Sequence, residues 1–277
     1  MDERRRAGAI GAQLRRTVFI TAMLLAVASL ALAHDLFLKL DTYFLAAHTN
    51  VQIPVLNGTF TKSENFIARE RLADISVVTP RGRAKLLPAS AWSPGPDSTS
   101  LLKVELGDAG TYVAGASTRP RELSLTAEQF NSYLAEDGLP DVLEARRAAN
   151  EMGKGARERY SKHVKAVFQV GETRSAEFGV VLGYPAEIVP LENPYTLSTG
   201  ASLRVRCLVD GRVVANQTVL WGGPGAERST RTDSLGVAQV TLDAAGKWYV
   251  KFVHMVRANR AGLDYESRWA TLTFEIR

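Results

Sequence analysis

The stretch Ser202-Leu203-Arg204-Val205-Arg206-Cys207-Leu208-Val209-Asp210-Gly211 decides the fold. Leu203, Val205, Cys207 and Val209 recur at period two, the side-chain repeat of a half-buried strand. Asp210-Gly211 then ends the run with a turn signal. The same unit recurs to the end of the chain. Strands are expected at Val213–Trp221, Glu227–Thr232, Val237–Leu242, Lys247–Val256 and Ser267–Ile276. Turns fall between them at Gly222-Gly223-Pro224-Gly225, Asp233-Ser234-Leu235-Gly236 and Ala245-Gly246. Short strands at such intervals imply an antiparallel sandwich of immunoglobulin-like or transthyretin-like type. Cys207, on the apolar face, reads as a core thiol.

Upstream the same patterning continues with one interruption. Val51–Leu56 runs into Asn57-Gly58, and Pro54 inside it argues for a sheet edge. Asp74–Thr79 is a further strand. Leu101–Leu106 and Thr111–Ala116, joined by Gly107-Asp108-Ala109-Gly110, read as a hairpin. The pattern changes period at Thr126-Ala127-Glu128-Gln129, a capping box. Phe130, Tyr133 and Leu134 follow at helical spacing, Gly138-Leu139-Pro140 breaks the helix, and Asp141–Glu151 starts a second. The charged residues here read as a solvated face. Ser161–Val170 returns to period two, with Val164, Ala166, Phe168 and Val170 on one side and His163, Lys165, Val167 and Gln169 on the other. Ala186–Pro190 is edge-like, because it ends in proline. The expected fold class is mostly β: two β-sandwich-like domains with a short helical insertion. Residues 34–185 form the N-terminal β domain with the insertion at 124–155, and residues 186–277 the C-terminal antiparallel sandwich.

The N-terminus reads as a processing signal. Arg4, Arg5, Arg6, Arg15 and Arg16 are a basic region, an apolar run from Val18 to Leu32 follows, and Ala31 and Ala33 make an A-x-A cleavage site. The run is too short and wrongly flanked for a spanning helix. Arg15-Arg16 hints at twin-arginine export, but the general secretory route fits the neighbouring residues better. Residues 1–33 are expected to be removed, giving a periplasmic or secreted protein that starts at His34. The whole chain carries a formal charge of +5, and the mature one about +2, since five arginines and two acids leave with the leader. Charge therefore gives no case for nucleic acid as a partner. Cys207 is the only cysteine, so an intramolecular disulfide is excluded and packing must hold the exported fold.

Four histidines remain as candidates: His34, His48, His163 and His254. A mature N-terminal His34 would place an α-amine and an imidazole on one residue, a chelate suited to Cu(II) or Ni(II) when a further imidazole joins it. His254 shares a face with Trp248, Val250 and Phe252 near a strand end, which would hold a ligand rigidly; the simpler role is a buried neutral ring bonded to a carbonyl. His163 lies on the more polar face of its strand, where exposure is the simpler role and covering His34 the functional one. His48 sits in a loop and is the weakest candidate. Asp35 would point away from a metal on His34 if it begins a strand. Trp221, Tyr249, Tyr265 and Trp269 either make an aromatic platform or pack between domains, and the second is expected. G-x-S-x-G, H-E-x-x-H, P-loop and C-x-x-C motifs are all absent, so no enzyme is expected.

Four stretches together resemble one family. They are Ala33-His34-Asp35-Leu36-Phe37-Leu38, then Arg159-Tyr160-Ser161-Lys162 with Ala166 and Gln169-Val170-Gly171, then the run from Gly183-Tyr184-Pro185 to Asn193-Pro194, and finally Asp264 to Phe274. The chain resembles the domain-of-unknown-function family labelled the periplasmic component of a cobalt/nickel ABC-type transport system (NikM-like). The resemblance spans essentially the whole mature chain and implies metal handling. It suggests an exported binding protein for a divalent transition metal (nickel, cobalt or copper), accessory to uptake by an ABC-type or ECF-type transporter, with His34, His254 and His163 as the metal residues. The competing expectation is a metal-free, immunoglobulin-like interaction or adhesion module of the cell envelope. A copper oxidase is a third and weaker reading.

Overall fold

Period-two patterning resolves into three sheets in a computed structural model that describes residues 34–80, 82 and 85–277. The expected signal sequence, residues 1–33, lies outside these described residues. Eighteen strands occur among them: β1 Asp35–Leu38, β2 Phe44–Leu45, β3 Asn50–Gly58, β4 Leu72–Val78, β5 Lys85–Leu86, β6 Trp92–Pro94, β7 Ser100–Glu105, β8 Gly110–Thr118, β9 Arg121–Leu125, β10 Ala156–Val170, β11 Ala186–Pro190, β12 Ser202–Val209, β13 Arg212–Val213, β14 Thr218–Gly222, β15 Arg228–Arg231, β16 Val237–Thr241, β17 Gly246–Arg257 and β18 Tyr265–Ile276. Two helices join them, α1 Ala127–Glu136 and α2 Pro140–Ala148. Strands make up 48% of the described residues, which places the chain in the mostly β class.

The central sheet has ten strands. It runs β15-β14-β17-β18-β10-β8-β4-β5, with β2 and β9 also on β10. One outer sheet is β1-β3-β7-β6; the other is β11-β12-β13 with β16 on β12. The register separates the two faces of the central sheet. Val164, Ala166 and Phe168 of β10 share a face with Trp269, Thr271 and Thr273 of β18. That face receives β1, whose Leu36 and Leu38 carbonyls accept the hydroxyls of Thr271 and Thr273 at 2.7 and 2.5 Å. It also receives α1, whose Tyr133 stacks on Trp269 at 5.5 Å between centroids. The opposite face, carrying His163, Lys165 and Gln169, is covered by β11, through an ion pair of Lys165 with Glu187 at 2.9 Å. Layers of this kind bury apolar stripes from both sides. Leu38, Ile53, Val55, Leu203, Val205 and Cys207 are all fully buried. Each large aliphatic side chain among them contributes roughly 1.5–3 kcal/mol. Burial also pushes the Cys207 thiol up, so it is inert as a nucleophile.

Several expectations change in the folded chain. The Leu101–Leu106 and Thr111–Ala116 pair is not a hairpin: β7 pairs with β3 and β6, whereas β8 pairs with β10 and β4. The glycine-rich connection carries the chain from one layer to the next. Tyr112 pins it, donating its hydroxyl to Asp108 O and accepting from Gly107 N–H. Pro54 is not at an edge either, since β3 lies between β1 and β7. Its carbonyl accepts Lys39 N–H just past the last residue of β1, so the missing N–H faces the point where β1 runs out. The Val213–Trp221 stretch splits into β13 and β14 around Asn216, which has φ +55°.

The helical segment follows its capping signals. Thr126 and Gln129 make both halves of the capping box. Gly138 takes φ +72°, and Leu139 N–H returns to Leu134 O, closing the helix in the left-handed geometry that favours glycine. The solvated-face reading fails at Arg146, which is 2% exposed. Its guanidinium donates to Glu151 O, Lys154 O and Asn131 Oδ1 and covers the Phe130 ring, because the carbonyls after α2 need a donor there. The domain boundary expected at 185/186 falls just ahead of β11. It does not separate sheets, since β10 from one side and β18 from the other pair in parallel over nine residues. Asp35–Arg277 forms one compact unit, distinct from the leading segment that ends at His34. Among the described residues no helix is long and apolar enough to cross a membrane.

Candidate functional site

His34 is the last residue of the leading segment, and the chain enters β1 at the next residue. β1 is rigidly held. Besides the two threonine hydroxyls on its carbonyls, it pairs along its length with β3, from Asp35↔Gly58 to Leu38↔Val55. Asp35 is buried, and its Oδ2 accepts from Lys251 Nζ at 2.7 Å.

His163 is not exposed. It is 2% accessible, because the polar face of β10 is the one that Tyr184 and β11 cover. Its Nδ1 lies 2.8 Å from Ser117 Oγ and its Nε2 2.9 Å from Ser161 Oγ. A neutral imidazole has one donor and one acceptor nitrogen, and both are used here. Burial, helped by the Arg268 charge, pushes its pKa down to about 3, so the ring is neutral at any physiological pH.

His254 is half-buried on the face of β17 that carries Trp248, Val250 and Phe252, as the alternation implies. Its Nδ1 donates to Gln217 Oε1 at 3.1 Å. The Gln217 amide is oriented by its own donation to Thr218 O and Val253 O, which leaves Nε2 as the acceptor nitrogen of the neutral ring. Burial and Arg268 lower its pKa as well. The two rings do not converge. His163 pairs with Ala270, Ala270 with Phe252, and His254 with Arg268. Two strand spacings and a two-residue offset put their Cα atoms about 12 Å apart. Arg268, a cation, sits on the strand between them. His163 and His254 therefore do not form one metal site, and His163 offers no lone pair to any. His48 has φ +57° in an exposed loop, 3.9 Å from Asp108. Among the described residues no group of three or more His, Cys, Asp or Glu is placed to hold a metal ion. The described residues of the body do not make a closed metal site.

The aromatic residues are not a platform. Trp221, Tyr265 and Trp269 are buried. Tyr249 packs its ring on Phe37 and Phe60 at 5.3 and 4.8 Å.

Two charged clusters were not legible in the sequence. In the first, Glu187 accepts from Lys165 Nζ and from the backbone N–H groups of Leu182, Gly183 and Tyr184. Lys165 also donates to Val180 O, and burial lowers its pKa against the pull of Glu187. In the second, Lys251 Nζ lies 2.7 Å from Asp35, 3.5 Å from Asp137 and 3.5 Å from Glu227. Burial opposes the Lys251 charge, but the three carboxylates outweigh it and raise its pKa. Lys162 adds a second positive charge that acts on Asp35 and Asp137, but burial and carboxylate repulsion outweigh the two lysines at Asp137. Asp137, at the carbonyl end of α1 and 5% exposed, is pushed up to about 7, by burial first and then by the charge of Asp35. Asp35 Oδ1 and Asp137 Oδ2 are buried with no hydrogen-bond partner among the described residues. Asp35, Asp137, Glu227 and Lys251 lie far apart in the sequence, so no local pattern marks this cluster.

Comparison with curated proteins gives no match. Among solved structures, titin A168–A169 matches at 10% identity over 87% of this chain and 97% of that one, with a TM-score of 0.18. The D0–D1 domain of intimin matches at 11% identity over 87% and 97%, with a TM-score of 0.19. The Escherichia coli adhesin FdeC matches at 12% identity over 87% and 63%, with a TM-score of 0.22. Likeness at this level carries no argument about function. One family profile, described as a domain of unknown function (DUF4198), matches residues 31–256. The chain belongs to the DUF4198 family.

Proposed function

We propose that the protein is an exported, non-enzymatic binder of a divalent transition metal (nickel, cobalt or copper), with His34 as its ligand once the leader is removed after Ala33. One observation carries this reading. The residue following His34 starts a strand fixed on both sides, by β3 pairing and by the Thr271 and Thr273 hydroxyls. An amine and imidazole at the head of such a strand lose little freedom on chelation. The metal supplies no chemistry beyond being bound and handed on; an ABC-type or ECF-type transporter in the membrane is the recipient on this reading. His163, with both ring nitrogens on serine hydroxyls, drops out of the ligand set, and His254 is too far from it to share a site with it.

The second reading is a metal-free interaction module of the cell envelope. It is favoured by the sequestered His163 and by the absence of any three-ligand group among the described residues. Calorimetric titration of the processed protein with Cu(II) and Ni(II) separates the two. The metal reading expects binding that weakens at least tenfold in His34→Ala and when one alanine is inserted ahead of His34, and that is unchanged in His163→Ala. Equal affinity in all four proteins, or a secreted form whose intact mass does not begin at His34, leaves the interaction module.

A further inference from the structure

A cleft of about 640 Å3 opens at the ends of β1 and β17, walled by the loop after β3 and the turn at Asp97-Ser98. Its volume falls within the roughly 300–1,000 Å3 typical of small-molecule sites. The walls are fixed. Ser63 donates to Ser98 O and accepts from Asn57 N–H, tying loop to turn to strand. Asp97 and Ser98 take φ +51° and +59°, a tight left-handed turn.

Three lysines face this cleft: Lys39, Lys62 and Lys247. Lys39 is immobilised, since its Nζ donates to Phe60 O at 2.7 Å and lies 4.5 Å over the Phe60 ring. That ring is itself wedged against Phe37 and Tyr249. Lys247 is near enough for its charge, after burial, to push the Lys39 pKa down. Among the described residues none of the three ammonium groups lies within ion-pair distance of a carboxylate. The Asp41 carboxylate offsets part of this repulsion, but it comes after burial and Lys247 and leaves the Lys39 pKa lowered, so an incoming anion still relieves the arrangement. Asp41 and Asp97 also line the cleft. They would repel a polyanion, but carboxylates accept hydrogen bonds from hydroxyl groups. Thr61, Ser98 and Thr99 add hydroxyls that both donate and accept.

We propose that this cleft binds an anionic saccharide, a sugar carrying a phosphate or carboxylate, with Lys39 and Lys247 on the anionic group and Asp41 and Asp97 on the sugar hydroxyls. The site is separate from His34, so the metal reading can fail without touching it.

The experiment is calorimetric titration of the purified protein with glucose 6-phosphate, galacturonate and oligogalacturonate, with glucose and inorganic phosphate as controls. An anionic sugar should bind at least tenfold more tightly than either control. Lys247→Gln and Lys62→Gln should weaken that binding at least threefold without shifting the melting temperature, and Asp97→Asn should weaken it by reducing the sugar contribution. Raising ionic strength from about 0.01 to about 1 M, which shortens the screening length from roughly 30 to 3 Å, should weaken it further. Tighter binding of the oligomer than of galacturonate identifies a glycan chain as the source; equal binding identifies a free sugar. The proposal is overturned if no anionic sugar binds, if inorganic phosphate binds as well as glucose 6-phosphate, or if Lys247→Gln has no effect.

Discussion

Lys165 and Lys251 lie on opposite faces of the same central sheet, and their surroundings differ in kind. Lys165 meets one carboxylate, Glu187, whose remaining capacity is filled by three backbone N–H groups. Donors and acceptors balance, so the pair closes the seam between β10 and β11. Lys251 meets three carboxylates and leaves two buried oxygens unmatched, on Asp35 and Asp137. The first cluster is a fastener. The second leaves buried acceptors unfilled, and it sits where β1 enters the body. A buried ion pair is not by itself evidence of stability, because desolvation offsets attraction. The difference therefore lies less in the charges than in whether every lone pair and proton has a place.

The largest expected effect tests the closed cluster. Glu187→Ala strands the Lys165 ammonium and three N–H groups in the interior, and should cost about 3–5 kcal/mol in denaturant unfolding. A loss below about 1 kcal/mol would mean that water reaches the seam and that the two clusters are not different in kind. A smaller effect is expected at the open cluster. The folded pKa of Asp137 lies near 7, above its unfolded value near 3.8. The native state therefore holds this proton more tightly than the unfolded one. Its contribution to stability is complete below about pH 4 and is lost as pH rises through about 7. Asp137→Asn should remove that decline, gaining roughly 1–3 kcal/mol relative to the parent at pH 8 over pH 5. Parallel pH profiles for the two proteins would show that Asp137 is ionised throughout. The smallest effect concerns the turn that presents Asp137. Gly138→Ala places a Cβ at φ +72°, 3.1 Å from Leu220, and should cost about 1 kcal/mol in thermal unfolding. If that variant also lowers the Asp137 pKa, as read by the carboxyl resonance, the helix end is what keeps the carboxyl buried.

The four stretches that carry the family resemblance meet in space. β1 lies on β18 through Thr271 and Thr273, β18 pairs with β10, and the 183–194 segment closes on β10 through Glu187 and through Asn193, which donates to Thr111 beside Gln169. These residues hold the frame of the molecule. A match to them identifies the fold without describing a binding site, which is why the family label leaves the ligand open.

Much of that frame is local in origin and was legible. The capping box at Thr126 and Gln129 involves atoms three residues apart, and the Val164-to-Val170 face follows from backbone pleat alone. The misreadings share one cause. The sequence around Gly107–Gly110 reports a turn but not which sheet the next strand joins. His163 stands on a polar face, and polarity reads as exposure until another layer covers it.

Residue spacing alone determined the longer strands, the two helices, the apolar stripes and the inert thiol at Cys207, because each depends on neighbours a few bonds away. Tertiary structure alone decided that His163 is sealed between two serines, that Arg268 separates it from His254, and that three lysines from distant segments share one cleft. Those facts depend on how layers stack, and stacking is set by the summed burial of the whole chain rather than by any stretch of it.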